Sequence, residues 1–104
     1  MNIFLLSLGL MSCVSLSHAQ SPANGQAMAG KHGCLICHNV EGKAVGPAFK
    51  EVAQKYRGQD EANTLFLRVK NGGAGQWGRV PMPAHPNVPE ADIKDLVAWV
   101  LGLS

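Results

Sequence analysis

The sequence predicts an all-α domain of four or so short helices, and three observations predict it. Apolar residues recur three and four positions apart in separate stretches, the pattern of helices buried on one side. No stretch keeps the strict apolar–polar alternation of a half-buried strand. Glycine and proline punctuate the chain between those stretches, where connections belong. There is no internal repeat, and 104 residues suit one domain.

Taken in order, Pro22 opens a helix over 23–31, weakened by Gly25 and Gly30. Residues 39–46 form a loop. Pro47 starts the next helix, in which Phe49, Val52, Ala53 and Tyr56 fall at i, i+3, i+4 and i+7. Gly58 closes it. Asp60 is the expected N-cap of a third helix whose buried stripe is Ala62, Leu65, Phe66 and Val69. Asn71-Gly72-Gly73 ends it. A loop over about 72–88 follows, holding Trp77 and Met82, and a loop so long in a small domain usually has a task. A last helix runs over about 89–101. Ile93, Leu96, Val97, Val100 and Leu101 make its apolar face, with Trp99 at the edge.

The N-terminus reads as a secretory leader. Residues 3–16 are mostly apolar and carry no charged side chain, and Ser17-His18-Ala19 offers small residues at −3 and −1. The expected division is a signal peptide over 1–19 and one domain over 20–104. A retained anchor and a lipid-modified Cys13 are competing readings. The apolar run is short for a span of about 20 residues, and Cys13 sits early. Cleavage after Ala19 leaves only Cys34 and Cys37 in the domain.

Those two cysteines stand in Cys34-Leu35-Ile36-Cys37-His38. Cys-x-x-Cys-His is the attachment sequence of c-type haem, with two thioethers to the porphyrin and the histidine beneath the iron. A dithiol of the thioredoxin kind needs a preceding strand, and 27–33 does not read as one. A zinc site needs four ligands, and His32 and His85 form no second pair. In an oxidising compartment the thiols form a disulfide unless something consumes them, as haem attachment does. A covalent haem also serves as the staple that so small a core needs.

Iron held by one histidine needs a group on its other face, and methionine there suits electron transfer. Met28, six residues before Cys34, reads as core. Met82 lies in Val80-Pro81-Met82-Pro83, where flanking prolines stiffen the backbone. It is the expected ligand, with His85 as competitor. The charge balance is +2. Lys43, Lys50, Lys55, Arg57, Arg68, Lys70 and Arg79 lie mid-chain, and Glu90, Asp92 and Asp95 near the end, a distribution that reads as ordinary solvated helix surface, with a dipole that steers docking as the competing reading. There is no dense basic run to suggest nucleic-acid binding. Gly72-Gly73-Ala74-Gly75 lacks the features of a phosphate cradle.

Residues 34–38, Gly46-Pro47, Trp77-Gly78 and Pro81-Met82-Pro83 together resemble the class I cytochromes c, in particular the small bacterial cytochrome c-551 type. The likeness runs through Val45-Gly46-Pro47-Ala48-Phe49-Lys50-Glu51-Val52-Ala53, Lys70-Asn71-Gly72 and Trp99-Val100-Leu101. It implies the small cytochrome c fold, wrapped around one haem c attached through Cys34 and Cys37. It implies His38 and Met82 as axial ligands, and the Pro47 carbonyl as acceptor for the Nδ1 proton of His38. Trp77 and Arg68 would hold a haem propionate. Leu35, Ile36, Val45, Val80, Pro81, Pro83 and Ala84 would ring the exposed haem edge. The chain departs from the family in two places. Ala84-His85-Pro86-Asn87 contains an extra residue, so neither His85 nor Asn87 is assigned the family's asparagine contact with the methionine sulfur. Ala29 stands where an aromatic is common, with Met28 and Trp99 expected to fill the gap.

The expected function is a periplasmic, monomeric, single-haem electron carrier that performs no bond chemistry and has no membrane span after leader removal. Nitrite reductases, haem peroxidases, terminal oxidases and the bc1 complex are the partners the resemblance offers, docking at the haem edge. Three other readings stay open: a haem enzyme or sensor with an open sixth position, a zinc or thiol-redox module, and a cytochrome subunit of a larger enzyme.

Overall fold

A computed structural model describes residues 24–104, together with Cys13. The expected leader, apart from Cys13, and the expected helix start at Pro22 lie outside the described residues. Among the described residues four helices follow one another: α1 (Gly25–Lys31), α2 (Phe49–Tyr56), α3 (Ala62–Asn71) and α4 (Glu90–Leu101). A short 3-10 turn, Cys34–Ile36, follows α1. Among the described residues there is no strand, only an isolated antiparallel bridge between Gly73 and Met82. The domain is all-α, and no helix among these residues is long and apolar enough to cross a membrane.

α4 is the element on which the others pack, touching α1, α2 and α3. Its apolar face explains this. Ile93 is fully buried, and Leu96, Val97 and Val100 are buried beside it. Phe49, Val52, Ala53 and Tyr56 of α2 are all buried, as their spacing requires. Gly58, with φ +78, ends that segment in a conformation that disfavours side chains.

Three expectations need correction. Trp99 is not at the edge of α4 but buried in the core cluster, edge to face with Phe49 at 74° between planes and 5.4 Å between ring centroids. Gly25 makes that possible, since a Cβ there would lie 2.0 Å from Trp99 Cγ. A glycine counted as a weakness of α1 is the seat of the tryptophan. Met28 packs half-buried against the same cluster, and Ala29 is fully buried. The N-cap of α3 is Glu61 rather than Asp60, because the Glu61 carbonyl accepts the first helical bond, from Leu65 N–H at 2.9 Å. The stripe of α3 is only partly buried by protein. Ala62 is exposed, and Leu65, Phe66 and Val69 are half-buried.

Candidate haem site

The Cys-x-x-Cys-His stretch owes its shape to its backbone. Gly33 turns the chain at φ +77, and the amides of Cys37 and His38 both donate to the Cys34 carbonyl, at 3.2 and 2.9 Å. That tight turn puts both thiols and the imidazole in one small region. Cys34 and Cys37 are free thiols, both half-buried. Burial pushes the Cys34 thiol up from its ordinary value, opposed by its own backbone hydrogen bond.

The next segment wraps back over the imidazole. Gly46 N–H donates to the Cys37 carbonyl at 2.7 Å, and the amides of Phe49 and Lys50 donate to the carbonyls of Asn39 and Val40. His38 Nδ1 lies 2.7 Å from the Pro47 carbonyl oxygen. A carbonyl only accepts, so Nδ1 carries the proton and Nε2 keeps its lone pair for a metal. Two contacts fix the ring plane. Phe49 stacks on it at 5.0 Å between centroids and 19° between planes. The backbone at Gly46 lies so close that a Cβ would be 2.5 Å from His38 Cε1.

Met82 is held by a different device. Gly73 N–H donates to the Met82 carbonyl at 3.0 Å, and Met82 N–H donates to the Gly73 carbonyl at 2.8 Å. Gly72, at φ +71, lets the 82–84 backbone pass close to the end of α3, where a Cβ would meet the Met82 oxygen at 2.5 Å. Arg68 folds over Gly73, so its guanidinium shares this neighbourhood with Met82. Trp77 lies under the Lys55 ammonium, 4.4 Å from its ring centroid. Lys55 also reaches the Gln76 carbonyl at 3.3 Å, and Tyr56 O–H donates to Gln76 Oε1 at 2.9 Å. α2 therefore serves both regions. Its first residue buttresses His38, and its last turn pins the segment carrying Trp77.

The structure thus draws Cys34, Cys37, His38 and Pro47 into one cluster, and Arg68 and Met82 into another. The sequence reading gave no role in the site to Gly46, Phe49, Gly73 or Gln76, and weighed His85 only as a ligand or as a contact to the methionine sulfur. Adjacent glycines before a proline-framed methionine were the available signal for Gly73. His32, weighed as a zinc ligand, instead pairs with Asp92, Nε2 to Oδ2 at 2.9 Å. His85 Nδ1 lies 3.2 Å from the Val69 carbonyl. Among the described residues no group of three or more His, Cys, Asp or Glu side chains is placed to hold a metal ion, so the four-ligand zinc reading finds no site there.

The donor set fits haem c: two unpaired thiols on one turn, an imidazole whose tautomer leaves Nε2 available, and a thioether on a braced loop. The half-buried apolar face of α3 offers Leu65, Phe66 and Val69 to a large apolar group.

The comparisons agree. The family model described as Cytochrome c matches residues 22–104. A cytochrome c-551 of Allochromatium vinosum is 49% identical over 94 residues, covering 89% of this chain and 100% of the relative. A cytochrome c-552 of Hydrogenobacter thermophilus is 45% identical over 82 residues, covering 78% of this chain and 82% of the relative. The crystal structure of wild-type Nitrosomonas europaea cytochrome c552 superposes with a TM-score of 0.73 at 45% identity, covering 76% of this chain and 99% of that one. The chain therefore belongs to the cytochrome c family, as a small monohaem electron-transfer protein that carries one covalently attached haem c and is not an enzyme.

Proposed function

We propose that this chain is a periplasmic electron shuttle whose haem is attached through Cys34 and Cys37 and whose iron is held by His38 and Met82. The bound haem supplies a one-electron iron couple, and closed ligation by nitrogen and sulfur suits it to carrying electrons. The chain's own residues do the rest. The Pro47 carbonyl, accepting from Nδ1, keeps the imidazole in the Nε2-binding tautomer and makes it a stronger donor. Phe49 and Gly46 hold the ring plane. Arg68 and the Trp77 indole N–H bind a propionate.

The observation that carries the reading is the paired hydrogen bonding of Met82 to Gly73 between two prolines. A loop fixed in this way presents its thioether with little entropy left to lose. The competing imidazole, His85, is tied through its Nδ1 and its backbone N–H to α3 carbonyls, which holds its backbone to the end of that helix. An optical spectrum tests the assignment: the oxidised holoprotein shows a sulfur-to-iron band at the red edge that disappears on reduction. Reduced protein leaves carbon monoxide unbound, and Met82→Ala loses the band and binds it rapidly. Rapid stoichiometric binding by the unsubstituted protein would sink the shuttle reading in favour of an open-site sensor or enzyme.

Partners dock at the haem edge. Ile36 is 81% exposed, Val80 65% and Val45 60%, and Leu35, Pro81, Pro83 and Ala84 are exposed with them. Solvent-facing aliphatics in such number mark an interaction surface. Redox proteins such as reductases, peroxidases, oxidases or a bc1 complex fit it, and a monomeric carrier leaves it open. Ile36→Ser is expected to slow electron exchange with a partner while leaving the reduction potential unchanged. Stopped-flow kinetics and voltammetry together check this.

A further inference from the structure

The loop that carries Met82 is tied to α3 by a residue with no part in the ligation itself. His85 lies three positions after Met82. Its backbone N–H is shared between the carbonyls of Val69 and Lys70, 3.2 Å from each. Its Nδ1 lies 3.2 Å from the same Val69 carbonyl, and since a carbonyl only accepts, Nδ1 is the donor.

Those carbonyls belong to the last turn of α3, where no donor within the helix can reach them. The Arg68 carbonyl takes Gly72 N–H at 2.8 Å. The next two are left for His85, which caps the helix from a remote part of the chain. Val88 N–H then donates to the His85 carbonyl at 3.3 Å and closes the turn beyond it. Only Pro83 and Ala84 separate His85 from Met82, and Pro83 has a fixed φ. The methionine backbone thus sits between two anchors, Gly73 on one side and the end of α3 on the other.

We propose that His85 is the positioning residue for Met82: it holds the methionine loop against the C-terminus of α3, so that the thioether stays in place instead of swinging out. The proposal rests on the assignment of Met82 as the sixth ligand. It gives His85 a role in keeping the ligand set closed, through hydrogen bonds to the backbone of α3.

The test measures imidazole association with the ferric holoprotein by stopped flow, beside the sulfur-to-iron band and global unfolding in urea. Losing a hydrogen bond of ordinary strength makes a loop open about tenfold more often. His85→Ala is therefore expected to bind imidazole about tenfold faster under fully native conditions. His85→Asn, whose side-chain amide can still donate, brings the rate back towards that of the unsubstituted protein. Met82→Ala marks the fast limit. A merely structural role would shift the urea midpoint and leave the native association rate alone, and that result overturns the proposal. If the unsubstituted protein lacks the band and binds imidazole as fast as Met82→Ala, the ligand assignment itself fails, and the proposal with it. Hydrogen exchange on the unsubstituted holoprotein tests the same coupling even if His85→Ala does not fold. The amides of His85 and Met82 are expected to exchange together, and a His85 amide exchanging about tenfold faster than that of Met82 overturns the proposal.

Discussion

At the scale of single residues, the His38 environment shows how a small side chain can be chosen by its neighbour. The 46–47 backbone passes over the imidazole closely enough to place the Pro47 oxygen 2.7 Å from Nδ1. That approach is open only to glycine at position 46, where a Cβ would lie 2.5 Å from Cε1 and 2.8 Å from Nδ1. Gly46→Ala is expected to cost about 1–3 kcal/mol, the usual range for overpacking a tight site. The same change should push Pro47 away from the ring. Urea unfolding measures the first effect, and loss of the protected Nδ1 proton signal in NMR measures the second. Tyr56→Phe is a gentler case. It removes one hydrogen bond to Gln76 while keeping the buried ring, so a loss of about 0.5–1.5 kcal/mol is expected. Unfolding midpoints check it, and a faster-exchanging Trp77 indole N–H would show that the α2 clamp had loosened.

At the scale of elements, the crossing of α1 and α4 is made by a tryptophan seated on a glycine. Trp99→Ala is expected to cost about 3–5 kcal/mol, as for other large aromatics removed from a core. Gly25→Ala tests the same contact from the other side. Helix propensity alone would make it stabilising by about 1 kcal/mol, because glycine is a poor helix residue. A Cβ placed 2.0 Å from Trp99 Cγ reverses the sign, since two backbone-anchored groups cannot both stay where they are. A raised thermal midpoint for Gly25→Ala would refute this account of the crossing. His32 adds a polar link between the segment after α1 and the first turn of α4, through Asp92.

At the scale of the whole molecule, the described protein core is concentrated on α2 and α4, with no buried side chain on α3. α3 packs on α4, and a bound haem would supply the further apolar body that its half-buried stripe lacks. A Cys34→Ala, Cys37→Ala protein produced without haem is therefore expected to lose helix content and cooperative unfolding, with amide protection in α3 the first to go. Circular dichroism and hydrogen exchange check this, and an apoprotein with intact α3 would contradict it. Acid has a smaller effect. Glu41 and Glu90 are held below the usual carboxylate range by hydrogen bonds from Lys50 and Lys70 and then by their charges. A carboxyl that is harder to protonate when folded stabilises the fold above its unfolded pKa, about 4. That contribution disappears as pH falls through the still lower folded value. Both groups are fully exposed, so the effect is slight and sensitive to salt. Lys50→Met with Lys70→Met should flatten the fall in urea midpoint between pH 6 and pH 3.

The sequence by itself determined the helices, the haem motif and the methionine loop. Each is written in short-range terms: apolar spacing in Phe49 to Tyr56, thiols three apart at Cys34 and Cys37, prolines on both sides of Met82. Local geometry follows from such patterns because neighbouring residues have few ways to arrange themselves. What tertiary structure alone decided was the use made of the ambiguous residues. Gly25 read as a weakness of α1 and Gly46 as loop punctuation until Trp99 and His38 are seen lying against them. Trp99 read as an edge residue until the crossing buried it. His85 read as a free imidazole until its Nδ1 is seen 3.2 Å from the Val69 carbonyl at the end of α3, sixteen residues earlier in the chain. Contacts between residues far apart in sequence leave no periodic trace. The physical reason for a glycine or a histidine at such a position becomes visible only when the folded chain brings its partner alongside.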